Sequence, residues 1–184
     1  MKLILVRHPA PETAGGVCYG SSDVAVAPHN LAAAHASLLA SLPPNLPLYS
    51  SPLSRCAGLA QALARDLPAS QFIRDARLAE MDFGAWELRA WQDIDRLHID
   101  AWAADLAHYR PGGGENVLAM ATRIESFLTD LLREQHAAAI VICHAGSIRL
   151  LLALQAGLSL EETALLAASG SHQIAYGGVV TVNF

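Results

Sequence analysis

Charge is scarce in this chain. Asp, Glu, Lys and Arg make up 16% of its 184 residues, and the formal net charge is −5. A general nucleic-acid binder normally carries a basic face, so nucleic acid is not expected as a partner. A small anionic substrate remains compatible, because a few arginines in a cleft focus a local positive field. No run reaches the ~20 apolar residues that a membrane helix needs, so no membrane partner is expected either. The apolar start, Met1 to Val6, is too short for a signal-peptide core and runs straight into Arg7-His8, which places the protein in the cytoplasm. The cysteines Cys18, Cys56 and Cys143 are odd in number and lack a C-x-x-C spacing, so they read as reduced, small apolar residues. H-x-H, H-D and H-E-x-x-H spacings are missing, which makes a metal hydrolase a poor fit; no metal and no cofactor are expected. Repeats, low-complexity tracts and linkers are missing as well, so residues 1–184 read as one domain. Nothing in the sequence specifies an oligomeric state.

What is present is apolar: 53% of the residues, a globular composition, in a chain long enough to bury about 70% of its unfolded surface. Strands and helices alternate. Leu3 to Val6 and Ala139 to Cys143 are continuous apolar runs, the mark of strands covered on both faces. Leu48 to Ser50 and Phe72-Ile73 read as short strands. Helices are expected over Asn30–Leu42, stopped by Pro43-Pro44, and over Leu53–Leu67, stopped by Pro68. Further helices are expected over Trp91–Leu106, Glu115–Arg133 and Ser147–Leu154. Gln173–Tyr176 and Val179–Phe184 flank Gly177-Gly178, a hairpin signal. The fold class is therefore α/β: a three-layer α/β/α sandwich whose mostly parallel central sheet carries an antiparallel edge hairpin.

Ligands of open α/β sheets bind at the carboxyl ends of the strands. Two strands end alike, at Arg7-His8 and at Cys143-His144, so each delivers a histidine to that rim. Arg55 follows the second strand, and Glu80 and Asp82 follow the third. Singly, each has a bland reading: a structural histidine, a charged flank, a helix cap. Together, two histidines and two arginines at one sheet edge form an anion site, since guanidinium forks match phosphate oxygens bidentately.

Four blocks occur in order: Leu5-Val6-Arg7-His8, Ser50-Ser51-Pro52-Leu53-Ser54-Arg55, Leu78-x-Glu80-x-x-Phe83-Gly84-x-Trp86-Glu87 and Cys143-His144-Ala145-Gly146. They resemble the histidine phosphatase superfamily, the phosphoglycerate mutase-like clan. The resemblance implies that His8 is the nucleophile, that Arg7, Arg55 and His144 bind the phosphoryl oxygens, and that Glu80 donates a proton to the leaving alcohol. Asp82 is the runner-up for that last role. It also implies metal-independent hydrolysis of a small-molecule phosphomonoester through phosphohistidine. The chain departs from the family pattern at Pro9 and Ala145, where glycine is usual, and at Ala10 and Ala14, where the first block usually has polar residues. Gly16 to Val24 and Pro111-Gly112-Gly113-Gly114-Glu115 further resemble α-ribazole phosphatases, which act on α-ribazole 5′-phosphate. Alternatives on the same scaffold are a phosphoglycerate mutase, a broad sugar-phosphate phosphatase and a non-catalytic sensor of phosphate ligands. Trp91 and Trp102 read either as a lid over the pocket or as the core face of a helix.

Overall fold

The computed structural model describes residues 1–67, 71–170 and 173–184. Its elements run β1 (Lys2–Arg7), α1 (Pro28–Ser41), β2 (Leu48–Ser50), α2 (Ser54–Asp66), β3 (Phe72–Arg74), α3 (Arg96–Ala104), α4 (Val117–Arg133), β4 (Ala138–Cys143), α5 (Ala145–Leu154), α6 (Leu160–Ser169) and β5 (Val179–Asn183). The sheet order is β3-β2-β4-β1-β5. The first four of these strands are parallel, and β5 runs antiparallel to β1.

Alternate residues of the strands face opposite layers. Ile4, Val6, Leu48, Ile140 and Ile142 pack under α1 and α2, against Leu38, Leu59 and Leu63. Leu3, Leu5, Val141 and Cys143 pack under α4, α5 and α6, against Ile124, Phe127 and Ile148. The central strands are thus buried on both faces, and each enclosed Leu or Ile contributes roughly 1.5–3 kcal/mol. All three cysteines are buried and free.

Four expectations need correction. The hairpin is not formed: Gln173–Tyr176 is irregular, and β5 alone supplies the antiparallel edge. Gly177 donates instead to the carbonyls of Arg7 and His8, so this segment wraps the end of β1 rather than pairing with β5. The Trp91–Leu106 helix is broken into a 3₁₀ turn at Trp91–Asp93 and α3, because the Asp95 side chain accepts from Leu97 N at 2.9 Å and caps a new helix start. Glu115–Asn116 precede α4 rather than opening it, since the Asn116 side chain accepts from Ala119 N at 2.8 Å as its cap. Helix α6 was not expected at all. The Pro68 stop lies outside the described residues.

Candidate active site

Strand register assembles the site. Arg7 pairs with Cys143 across β1 and β4, so His8 and His144 leave the sheet side by side. Their ring centroids are 5.1 Å apart. Ser50 pairs with Ile142 across β2 and β4, which brings Ser51 to the same rim. Ser51 Oγ lies 2.8 Å from His144 Nε2. Arg55, in the first turn of α2, is 1% exposed and turns its guanidinium into this cup.

Each cup residue is held by a specific partner. His8 Nδ1 lies 2.7 Å from the Pro9 carbonyl. A carbonyl only accepts, so Nδ1 carries the proton and the Nε2 lone pair is free. Burial, opposed by that bond and reinforced by Arg55 and Arg7, lowers the His8 pKa to about 3. His8 is therefore a neutral imidazole at neutral pH. Burial, followed by Arg55, also takes His144 well below the usual histidine range. Arg55 Nε donates to His144 Nδ1 at 3.3 Å, which a neutral ring alone permits. Arg55 also donates through Nη1 to the Ser22 carbonyl at 2.7 Å and through Nη2 to the Gly20 carbonyl. Of its five N–H groups, two remain for an anion. Arg7 donates through Nη1 to the Ile174 carbonyl at 2.5 Å, and its buried Nε has no partner.

Glu87 holds the loop that holds Arg55. Its carboxylate accepts from the backbone N–H groups of Gly20, Ser21, Ser22 and Phe83 at 2.9–3.2 Å. Burial opposes its charge, but the Ser22 and backbone hydrogen bonds outweigh it and hold the carboxyl below its ordinary range. A Cβ at position 20 would stand 1.9 Å from the Met81 carbonyl, so only glycine lets this loop approach. The sequence displayed Glu87 inside a motif but gave it no role; four N–H bonds to one carboxylate are a tertiary fact.

Glu80 borders the cavity over His8, and Asp82 does not. Glu80 lines the cavity that also holds Arg7, His8 and Arg55. Its Oε2 accepts from Gly146 N at 3.0 Å, near the start of α5. A Cβ at position 146 would sit 2.3 Å from Glu80 Oε1, so the glycine makes room for the carboxyl group. Asp82 lines a neighbouring cavity, with Arg110 and Arg123, which Glu80 also borders, and accepts from Gly84 N at 2.8 Å.

The cavity over His8 has a volume of about 560 Å³. Beyond the cup its wall is apolar, built from Phe83, Trp91, Ile99, Trp102 and Leu106. The Trp91 and Trp102 rings stack at 9° and 6.3 Å, and Phe83 meets Trp102 edge-on at 5.8 Å. Trp86 is buried behind them. Leu88 N donates to the Cys18 carbonyl at 2.8 Å and Cys18 N to the Arg89 carbonyl at 2.7 Å, so the wall is strapped to the first loop. The tryptophans thus serve as cavity wall and local core at once. Arg149, half-buried, is a further cation on this wall. Among the described residues no group of three or more His, Cys, Asp or Glu side chains is placed to hold a metal ion. No helix among them is long and apolar enough to cross a membrane.

A parallel sheet whose rim gathers two neutral histidines and two arginines over an open cavity is the frame of a phosphoryl-handling enzyme. Comparison with known proteins gives that class its family. Residues 3–174 match the model of the histidine phosphatase superfamily (branch 1), and the chain belongs to this family and is a phosphatase. An α-ribazole phosphatase from Shigella flexneri superimposes with a TM-score of 0.80 at 26% identity, covering 100% of this chain and 90% of that one. A Hydrogenobacter thermophilus protein provisionally named phosphoserine phosphatase 2 is 26% identical over 88% of this chain and 81% of its own length. The adenosylcobalamin/α-ribazole phosphatase of Escherichia coli K12 is 38% identical over 46% of this chain and 43% of its own.

Proposed function

We propose that the protein hydrolyses a phosphomonoester through a phosphohistidine at His8, and that its substrate is α-ribazole 5′-phosphate. The carrying observation is the His8 ring: Nδ1–H is spent on the Pro9 carbonyl, so Nε2 is a neutral nucleophile inside a cationic cup. In the first step Nε2 attacks phosphorus and the P–O bond to the alcohol breaks. Glu80 supplies the proton that the departing alkoxide takes. In the second step water attacks phosphorus, the P–N bond breaks, and the water's proton passes to the Glu80 carboxylate. Phosphate leaves and His8 is restored. Arg7, Arg55 and, once its Nε2–H turns from Ser51 Oγ, His144 bind the equatorial oxygens, where charge collects in the transition state.

The substrate assignment is supported by the apolar wall that includes Phe83, Trp91 and Trp102, which suits a flat aromatic base. The α-ribazole phosphatase relatives support it independently. A carboxylate-bearing substrate such as phosphoserine is the second reading, favoured by Arg149 on the wall and by the Hydrogenobacter relative. Rapid quench of wild-type enzyme should trap acid-labile, base-stable phosphate on His8. His8→Ala should lose at least about 10³-fold in turnover while staying folded. Substantial turnover in His8→Ala would remove the mechanism. A kcat/KM for phosphoserine or 3-phosphoglycerate equal to that for α-ribazole 5′-phosphate would remove the substrate assignment alone.

A further inference from the structure

The segment expected as half of a hairpin does something else. Its residues hold the end of β1 from the far side: Arg7 N donates to the Gly178 carbonyl, Gly177 N to the Arg7 and His8 carbonyls, and Arg7 Nη1 to the Ile174 carbonyl. Tyr176 sits in the middle of this clasp. Its ring lies under the Arg7 guanidinium carbon, 3.8 Å from ring centroid to Cζ. The same ring lies 5.5 Å from the His8 ring. Its hydroxyl shares a 2.6 Å hydrogen bond with Tyr19, whose own ring lies 5.5 Å from the Arg55 guanidinium. Tyr176 falls beyond the family match, which ends at residue 174.

We propose that Tyr176, locked by its hydroxyl bond to Tyr19, is a positioning residue that presents Arg7 to the phosphoryl group. This inference rests on the phosphohistidine reading above. An arginine on a strand end has many rotamers, and ordering it on each binding event costs affinity. Here one face of the guanidinium is stacked and Nη1 is engaged, which leaves the unpartnered Nε and Nη2 as a fixed pair of donors. Burial first, then the hydrogen bond to Tyr176, pushes the Tyr19 phenol above its ordinary range, so the hydroxyl pair stays neutral beside an anion. Tyr176 is 43% exposed, so replacing it spares the core.

The test is a double-mutant comparison. Binding of inorganic phosphate by calorimetry and kcat/KM for p-nitrophenyl phosphate are measured for Tyr176→Leu, Tyr176→Phe, Arg7→Ala and the Tyr176→Leu/Arg7→Ala pair. Tyr176→Leu should weaken both by about 3- to 30-fold, the range of a cation–π contact at a partly desolvated site. Tyr176→Phe keeps the ring but loses the bond to Tyr19, so its values should fall between those of wild type and Tyr176→Leu. In the Arg7→Ala background, Tyr176→Leu should add nothing, because its effect runs through Arg7. Losses that multiply, or a Tyr176→Leu enzyme with wild-type values, would overturn the proposal. If Tyr176→Leu does not fold, Tyr176→Gln in both backgrounds decides in the same way. Failure of the underlying reading is distinct: it would show as turnover in His8→Ala, whatever Tyr176 does.

Discussion

The cup and the wall of the pocket are built on opposite plans. The cup residues stand at the ends of β1 and β4, at the start of α2 and just ahead of α5, where sheet register fixes their backbones. Every polar side chain there has an assigned partner: Pro9 for His8, Ser51 for His144, Ser22 for Arg55, Ile174 for Arg7. The wall comes from a 3₁₀ turn and the short α3, which has no buried residue of its own. Its rings hold one another, and Trp91 remains 38% exposed. A site made this way separates its tasks. The proposed chemistry uses groups fixed at the sheet edge, and the proposed substrate contacts use the wall segment.

The sharpest way to break this division lies at Glu80, which stands at the seam. A sugar alkoxide is a poor leaving group and needs a proton as the P–O bond breaks, whereas p-nitrophenolate does not. Gln at this position keeps the Gly146 N–H bond but has no proton to transfer. Glu80→Gln should therefore cut kcat for an alkyl phosphate by about 10²–10⁴-fold and for p-nitrophenyl phosphate far less, where phosphorylation limits the rate. Equal losses on both substrates would make Glu80 a binding group. A negligible loss on the alkyl phosphate would hand the role to Asp82, against its place in the other cavity.

The dryness of the cup has its own signature in acid. Burial lowers the His8 pKa to about 3, while an unfolded histidine titrates near 6.5. Between those values the unfolded chain binds the proton and the native one does not, so stability falls as pH falls through that window. His8→Asn removes the group. Its unfolding free energy, measured in denaturant between pH 6.5 and 4, should therefore decline less steeply than that of wild type. The difference in slope should approach about 1.4 kcal/mol per pH unit, and the carboxylates cancel because both proteins carry them. Parallel slopes would mean that water reaches His8.

The same contrast explains what was legible in the sequence. Strand ends were readable because apolar runs stop at Arg7-His8 and Cys143-His144, and a parallel sheet places such ends together. Helix α6 was readable but unread: Ser159 and Glu162 form a capping box, with Ser159 N donating to Glu162 Oε2 at 3.0 Å. The tail misled because Gly177-Gly178 is a good hairpin turn locally, yet the carbonyls of Arg7 and His8 compete for the Gly177 N–H. The break in the Trp91–Leu106 pattern was a contest between apolar spacing and one cap at Asp95, which the cap won. Glu87 was out of reach, because three of its four backbone partners lie 65–67 residues upstream and carry no sequence signal.

The smallest effect is the most informative about the wall. Trp91 lines the cavity, and the aromatic rings it meets are those of Phe83, Trp86 and Trp102, not His8. An aromatic contact with a bound base contributes about 0.5–1.5 kcal/mol, a factor of roughly 2 to 12. Trp91→Ala should therefore lower kcat/KM for α-ribazole 5′-phosphate by that factor. It should leave p-nitrophenyl phosphate, which fills only the cup and its threshold, within about 2-fold. The partial exposure of Trp91 limits the cost to folding, and a thermal melt checks it. A larger loss on p-nitrophenyl phosphate than on the nucleotide would mean that the wall shapes the cup, and the two halves would then be one device. Equal tolerance of both substrates would leave the wall without a part in recognition and shift attention to Arg149, the cation that a carboxylate-bearing substrate would meet.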